Sequence, residues 1–121
     1  MVGAPKCGTT FLHHHLRQHP QIFLPAHLKE PHHFAPDLHA YSAASAHLQW
    51  ITDEATYLNL FADAGSAPLR GESSVYYLYS LAAAETIVRF DPTARIVIHA
   101  APSRRPPGFV PRPKAVLLPG G

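Results

Sequence analysis

The sequence is poor in cysteine, in net charge and in long apolar runs. Cys7 is its only cysteine, so a disulfide within the chain is excluded and a reducing, cytoplasmic location is predicted. A net charge of +2 is too small to indicate a polyanionic partner, and we therefore expect no nucleic acid. No apolar run approaches the roughly 20 residues of a transmembrane helix, so no membrane segment is predicted.

Two regions differ in composition. The chain has 121 residues, 46% of them hydrophobic and 15% charged, which is ordinary for one small globular domain or part of a larger one. Of its 13 prolines, six lie in the last 21 residues. Proline cannot donate a backbone hydrogen bond, so this stretch predicts irregular structure. We therefore divide the chain into a domain at residues 1–100 and a tail at 101–121.

A helix is predicted near the start of the chain, at residues 9–19. Pro20 ends the pattern. Residues at spacings of three and four predict one face of this helix. These residues are Phe11, Leu12, His15, Leu16 and His19.

The rest of the domain alternates between extended and helical patterns. The predicted elements are an extended piece at 21–25, a loop at 29–34, a helix from an N-cap at Thr52 to Gly65, a strand or packed turn at 71–80, a helix at 81–90 capped by Ser80, and a strand at 94–100. This order predicts an α/β layered fold.

A glycine loop precedes the first helix. Gly3 and Gly8 have the G-x-x-x-x-G spacing of a phosphate-binding loop, in which backbone N–H groups and the helix N-terminus face an anion. Lys6 adds a positive charge, and Thr9 and Thr10 add hydroxyl donors. The lysine precedes the second glycine, unlike the lysine of an ATP-binding loop, and this favours a phosphate site without a metal. The loop predicts a P-loop NTPase-like three-layer fold with a parallel central sheet, incomplete in this chain.

Alternatives remain open at this point. One is a P-loop kinase or NTPase fragment, which is disfavoured because no lysine follows Gly8 and no aspartate ends "RIVIHA". Another is a non-catalytic module that binds a nucleotide or a partner. A metal site is also disfavoured, because His15 and His19 share a helical face but no third ligand follows at a zinc-like spacing.

Four segments in order resemble the sulfotransferases that use 3′-phosphoadenylyl sulfate (PAPS), and most closely the bacterial and heparan-sulfate-type branch. They are "PKCGTT" in the loop, "KEPHHF" at 29–34, "ITDEATYLNLFADA" at 51–64 and "GESSVYYLYS" at 71–80. The first, second and fourth resemble the family motifs P-K-x-G-T-T, K-E-x-H-F-F and G-E-x-S-P-x-Y-L. His33 and Val75 depart from these motifs.

The resemblance implies a function and a set of site residues. The loop would hold the 5′-phosphosulfate of PAPS, and Lys6 would also neutralise charge on the bridging oxygen. Glu30 would be the general base toward a hydroxyl or amine of a small-molecule or glycan acceptor, without a metal. The loop residues are Pro5, Lys6, Cys7, Gly8, Thr9 and Thr10. Cys7 occupies the place of a small residue, and the helix N-terminus and Lys6 would lower the pKa of its thiol.

The resemblance ends near residue 98. Relatives continue with L-R-x-P-x-x-R-A-x-S, whose arginine and serine bind the 3′-phosphate of the donor. Here "HAAPSRRPPGFV" has no arginine before Pro102 and no serine after Arg105. We therefore expect an N-terminal part of a sulfotransferase domain with a tail foreign to the family. Alone, this chain is expected to be poorly stable and weakly active or inactive.

Overall fold

The computed structural model of the chain describes residues 1–3, 8–40 and 50–99. Three predicted loop residues, Pro5, Lys6 and Cys7, lie outside the described residues. The predicted irregular tail at 101–121 also lies outside them. Within the described ranges no helix is both long and apolar enough to cross a membrane.

Short parallel strands organise the described part of the chain. β1 (Val2–Gly3) pairs with β4 (Ile98–His99), and β2 (Ile22–Phe23) pairs with β3 (Leu69–Arg70). The segment that follows β3 lies next to the residue that precedes β1. There the Ser74 N–H donates to the Met1 carbonyl at 3.0 Å. The strands form two separate two-stranded sheets, and this hydrogen bond links the segment after one sheet to the start of the other. Helices separate the strands in sequence, which confirms the α/β class.

Helix α1 (Thr9–Leu16) ends before the predicted His19, because its last turn tightens: the N–H of Gln18 donates to the His15 carbonyl. The predicted face of α1 was wrong. Phe11 is 68% exposed, whereas Thr9 and His13 are buried. The Phe11 ring instead packs on His15, also exposed, with ring centroids 4.1 Å apart. His15 and His19 contributed to the predicted apolar face by their spacing, but both side chains are exposed.

Helices α2 (Glu54–Asn59) and α3 (Ala83–Phe90) lie where the patterns predict them, with different first residues. Asp53, and not Thr52, is the N-cap of α2, and its carboxylate accepts the Thr56 N–H at 2.6 Å. The N-cap of α3 is Ala82 and not the predicted Ser80, although the Ser80 hydroxyl accepts the N–H groups of Ala82 and Ala83 just before the helix. The segment predicted as a strand or packed turn forms a 3₁₀ helix at Val75–Tyr79. Two further 3₁₀ turns lie at Pro36–Leu38 and Ala62–Ala64.

Replacing Asp53 with alanine is expected to lower the thermal unfolding midpoint by a few degrees at pH 7, because α2 loses its cap. The bond to Thr56 lowers the pKa of Asp53 below its ordinary value of 3.8. A lowered folded-state pKa stabilises the fold above the unfolded-state pKa, and this contribution disappears as the pH falls through the folded-state pKa. The difference between wild type and variant should therefore shrink below about pH 4 in thermal melts followed by circular dichroism. Thr52→Ala is the control, and an equal loss with that variant would contradict the assignment of Asp53 as the cap.

Aromatic side chains form the core beside the sheet. The Phe34 ring lies 5.0 Å from that of Tyr57 on α2 and 5.1 Å from that of Phe90 on α3, and the His33 ring stacks on Tyr57 at 4.5 Å. Tyr77 is buried in the same cluster, and its hydroxyl accepts the N–H of Phe34 at 3.2 Å. The core therefore holds the chain that follows Glu30 in a fixed position.

Candidate active site

Gly8 is the last residue of the glycine loop and the N-cap of α1, next to the carboxyl end of β4. Its φ of +85° lies in the left-handed region, where a side chain is strained. A Cβ atom on Gly8 would also lie 3.3 Å from Cε1 of His99, so the position has little room for one. Both the conformation and the close approach require glycine here.

The first turn of α1 suits an anion electrostatically. It contains no acidic residue. Its N-cap is the glycine Gly8, so no capping side chain accepts the N–H groups of the first turn. Thr9 is buried and Thr10 is exposed, so the two predicted hydroxyl donors lie on different sides of the helix. The positive end of a helix dipole without a competing carboxylate favours a negatively charged ligand.

Glu30, the predicted base, lies in the loop between β2 and the core. Its φ is +69°, which is uncommon for a residue other than glycine. Its N–H donates to the Ser73 carbonyl at 2.7 Å. The carboxylate is 30% exposed and lies 3.2 Å from the Lys29 ammonium. The backbone of Glu30 is therefore anchored while its side chain remains open to a ligand.

His32 lies two residues further on and also has a positive φ, of +49°. Its N–H donates to the Ser74 hydroxyl at 3.0 Å. The imidazole is fully buried and stacks on Trp50, with ring centroids 4.6 Å apart. Burial lowers the pKa of His32 to about 4, so the ring is neutral at pH 7.

Ser73 and Ser74 join the segments that carry the predicted site. The Ser73 hydroxyl lies 2.7 Å from Nδ1 of His13, one turn along α1 from Thr9. The Ser74 hydroxyl donates to the Glu72 carboxylate at 2.7 Å, and burial raises the pKa of that carboxyl. Both serines are almost completely buried. They therefore hold α1 and the Glu30 loop together, which agrees with the packing role expected for this segment.

Two cavities in the described part of the chain lie away from the described residues of the predicted site. One, of about 680 Å³, is lined by Met1, Glu72 and Ile96 together with the aromatic core. The other, of about 530 Å³, lies between β2 and α2. Neither is lined by Gly8, Thr9, Thr10 or Glu30. The candidate site is thus defined by the loop and its hydrogen bonds, and not by a closed cavity.

No group of three or more His, Cys, Asp or Glu side chains forms a metal site in the described part of the chain. His15 is exposed on α1, and His19 lies in the turn that follows this helix. The expectation that the site uses no metal stays a prediction.

His13 was not identified from the sequence as part of the site. Its neighbours His14 and His15 are both exposed, so the run of histidines does not by itself indicate which one is buried. The one signal in the sequence is its spacing of four from Thr9, which places both residues on the same face of α1.

The described part of the chain combines parallel strands with a glycine at the N-terminus of a helix. This arrangement is typical of α/β proteins that bind anionic ligands at the carboxyl ends of their strands. The Sulfotransferase family model matches residues 1–104. The chain therefore belongs to the sulfotransferase family, a family of transferase enzymes, and the resemblance of its motifs is confirmed.

A solved structure of a relative agrees with this assignment. The crystal structure of a sulfotransferase from Alicyclobacillus acidocaldarius is similar, with a TM-score of 0.70 and 33% sequence identity. The similarity covers 81% of this chain and 41% of that one, so the chain spans under half the length of this relative. A search of curated proteins found no match.

Proposed function

We propose that this chain carries the donor loop and the general base of a sulfotransferase. The enzyme would move a sulfuryl group from PAPS to a hydroxyl or amine of an acceptor. The observation that carries the proposal is the conformation and position of Gly8. Its left-handed backbone, its place as the N-cap of α1 and the lack of room for a Cβ atom beside His99 support a loop that ends at the N-terminus of α1. That is the geometry a phosphate group needs, and family membership supports PAPS as its source.

The loop binds the donor. In this proposal the loop from Pro5 to Thr10 would bind the 5′-phosphosulfate through the backbone N–H groups of its residues other than proline and through a threonine hydroxyl, and the Lys6 ammonium would neutralise charge on the bridging oxygen. Negative charge grows on this oxygen as the bond between sulfur and the leaving phosphate breaks. A fixed positive charge therefore stabilises the transition state more than the bound donor.

Glu30 takes the proton. As the acceptor oxygen or nitrogen forms its bond to sulfur, its proton passes to the Glu30 carboxylate, and the bond from sulfur to the phosphate oxygen breaks. The exposed part of the Glu30 side chain leaves room for an acceptor beside the Lys29 ammonium. The anchored backbone of Glu30 supports a fixed position for this carboxylate.

The broader assignment follows the same argument. We propose that residues 1–100 belong to a P-loop NTPase-like three-layer fold with a parallel central sheet, which works in the cytoplasm on a small-molecule or glycan acceptor, and that residues 101–121 lie outside this domain. The two short pairs of parallel strands and the similar sulfotransferase structure support this fold.

Calorimetry with adenosine 3′,5′-bisphosphate tests the proposal without an acceptor. We expect binding in the absence of Mg²⁺, and weaker binding of ATP with or without Mg²⁺. Preference for ATP with Mg²⁺ would favour the kinase or NTPase alternative. Failure to bind either nucleotide would overturn the proposal and leave a non-catalytic module.

Gly8→Ala should weaken binding of the bisphosphate about tenfold, because the new Cβ atom is strained and meets His99. Gly65→Ala is the matched control. Gly65 also has a positive φ, of +54°, but a Cβ atom there meets nothing within 4 Å. Both variants should lose stability, and only Gly8→Ala should lose affinity in the same titration. Equal affinities of the two variants would contradict a phosphate site at Gly8.

A further inference from the structure

The loop around Pro31 has an uncommon backbone. Glu30 and His32, on either side of the proline, both have left-handed φ values of +69° and +49°. Such a conformation is costly for residues other than glycine and persists only where the surroundings hold it. Both N–H groups are held by the same dipeptide: Glu30 donates to the carbonyl of Ser73, and His32 donates to the hydroxyl of Ser74.

The same dipeptide contacts helix α1. The Ser73 hydroxyl lies 2.7 Å from Nδ1 of His13, and both residues are buried. His13 follows Gly8 and Thr9 on α1 by little more than one turn, and Thr9 is buried on the same face. A direct path of contacts thus runs from the end of the proposed donor loop, through His13 and Ser73, to the backbone of Glu30.

We propose that His13 and Ser73 are positioning residues, whose hydrogen bond fixes the Glu30 carboxylate relative to the N-terminus of α1. This inference rests on the proposed function, in which α1 begins at the donor phosphate and Glu30 takes the proton of the acceptor. In-line transfer needs the donor and the base at a constant separation, and small displacements are costly to the rate.

The chemistry of His13 argues against a role in packing alone. Burial lowers the pKa of its imidazole, and the positive charges of Lys29 and Arg17 lower it further, so the ring is buried in its neutral form. A buried imidazole needs a hydrogen-bond partner, whereas a leucine of similar size would pack in an apolar interior without one. The bond to Ser73 satisfies Nδ1 of His13 and gives the ring a directional contact with the residue whose carbonyl accepts the Glu30 N–H.

Amide hydrogen exchange measured by NMR tests the inference on the full chain. In His13→Leu, which keeps an apolar side chain of similar size, the Glu30 amide should exchange about tenfold faster than in wild type. In His13→Asn, whose amide group offers a polar atom near the position of Nδ1, exchange should stay within about twofold of wild type. His15→Leu is the matched control on the exposed face of α1, and it should leave exchange at Glu30 unchanged.

Titration of the same variants with adenosine 3′,5′-bisphosphate separates positioning from general damage. All of them should bind it within about twofold of wild type, because the loop itself is unaltered. Unchanged exchange at Glu30 in His13→Leu, or equal acceleration in His13→Asn, would overturn the inference. Failure of the wild type to bind the bisphosphate would overturn the proposed function instead, while the exchange comparison would still decide whether His13 orders Glu30.

Discussion

Lys6→Ala is expected to weaken binding of adenosine 3′,5′-bisphosphate about a hundredfold, the typical cost of removing one partner from a desolvated charge pair. In the proposed site the Lys6 ammonium contacts the 5′-phosphate, which the bisphosphate shares with PAPS. No acidic residue in the first turn of α1 competes for that phosphate. Isothermal titration calorimetry without Mg²⁺ measures the difference directly.

The control for Lys6→Ala removes one positive charge elsewhere. Arg89 pairs with Glu85 on the exposed surface of α3, and Arg89→Ala should leave the affinity unchanged. Raising the salt concentration should weaken binding by wild type more than by Lys6→Ala, because the variant has lost a charged contact. Equal affinities of Lys6→Ala and Arg89→Ala would show that the lysine is not at the phosphate.

Local features of this site were predictable from the sequence. Gly8 was identified from its spacing to Gly3, and its left-handed φ is what a tight loop before a helix requires. Proline and capping residues marked the element ends to within a few residues, as with Pro20 after α1 and Ser80 before α3. These signals depend on backbone chemistry that acts between neighbours in the chain, so a sequence displays them directly.

The contacts that assemble the site were not predictable in this way. His13 and Ser73 are 60 residues apart, and no local pattern pairs them. Periodicity placed the buried side of α1 on Phe11 because a phenylalanine is usually buried, whereas the partner segment offers a serine and selects His13. The positive φ values of Glu30 and His32 likewise follow from hydrogen bonds to Ser73 and Ser74, and not from their own preferences.

The apolar run at 94–100 predicted a central parallel strand. Within it β4 covers Ile98–His99 and pairs in parallel with β1, whereas Ala100 lies outside the described residues. β-branched side chains indicate that a segment suits a sheet, but the partner strand lies far away in the sequence and no local pattern identifies it.

Glu30→Gln is expected to lower the rate of sulfuryl transfer about 10²- to 10⁴-fold, because the amide cannot accept the proton of the acceptor. Glutamine has nearly the same shape, and the anchoring bond to Ser73 comes from the Glu30 backbone, so the loop should keep its conformation. Affinity for adenosine 3′,5′-bisphosphate should therefore stay within about twofold of wild type. Single-turnover transfer from sulfur-labelled PAPS detects the slow rates that we expect of this chain.

The matched control for this variant is Glu54→Gln, which removes an exposed carboxylate from the first turn of α2. It should transfer at the wild-type rate. A Glu30→Gln variant that keeps more than about half of the wild-type rate would exclude Glu30 as the base. The carboxylate would then have a structural role beside Lys29.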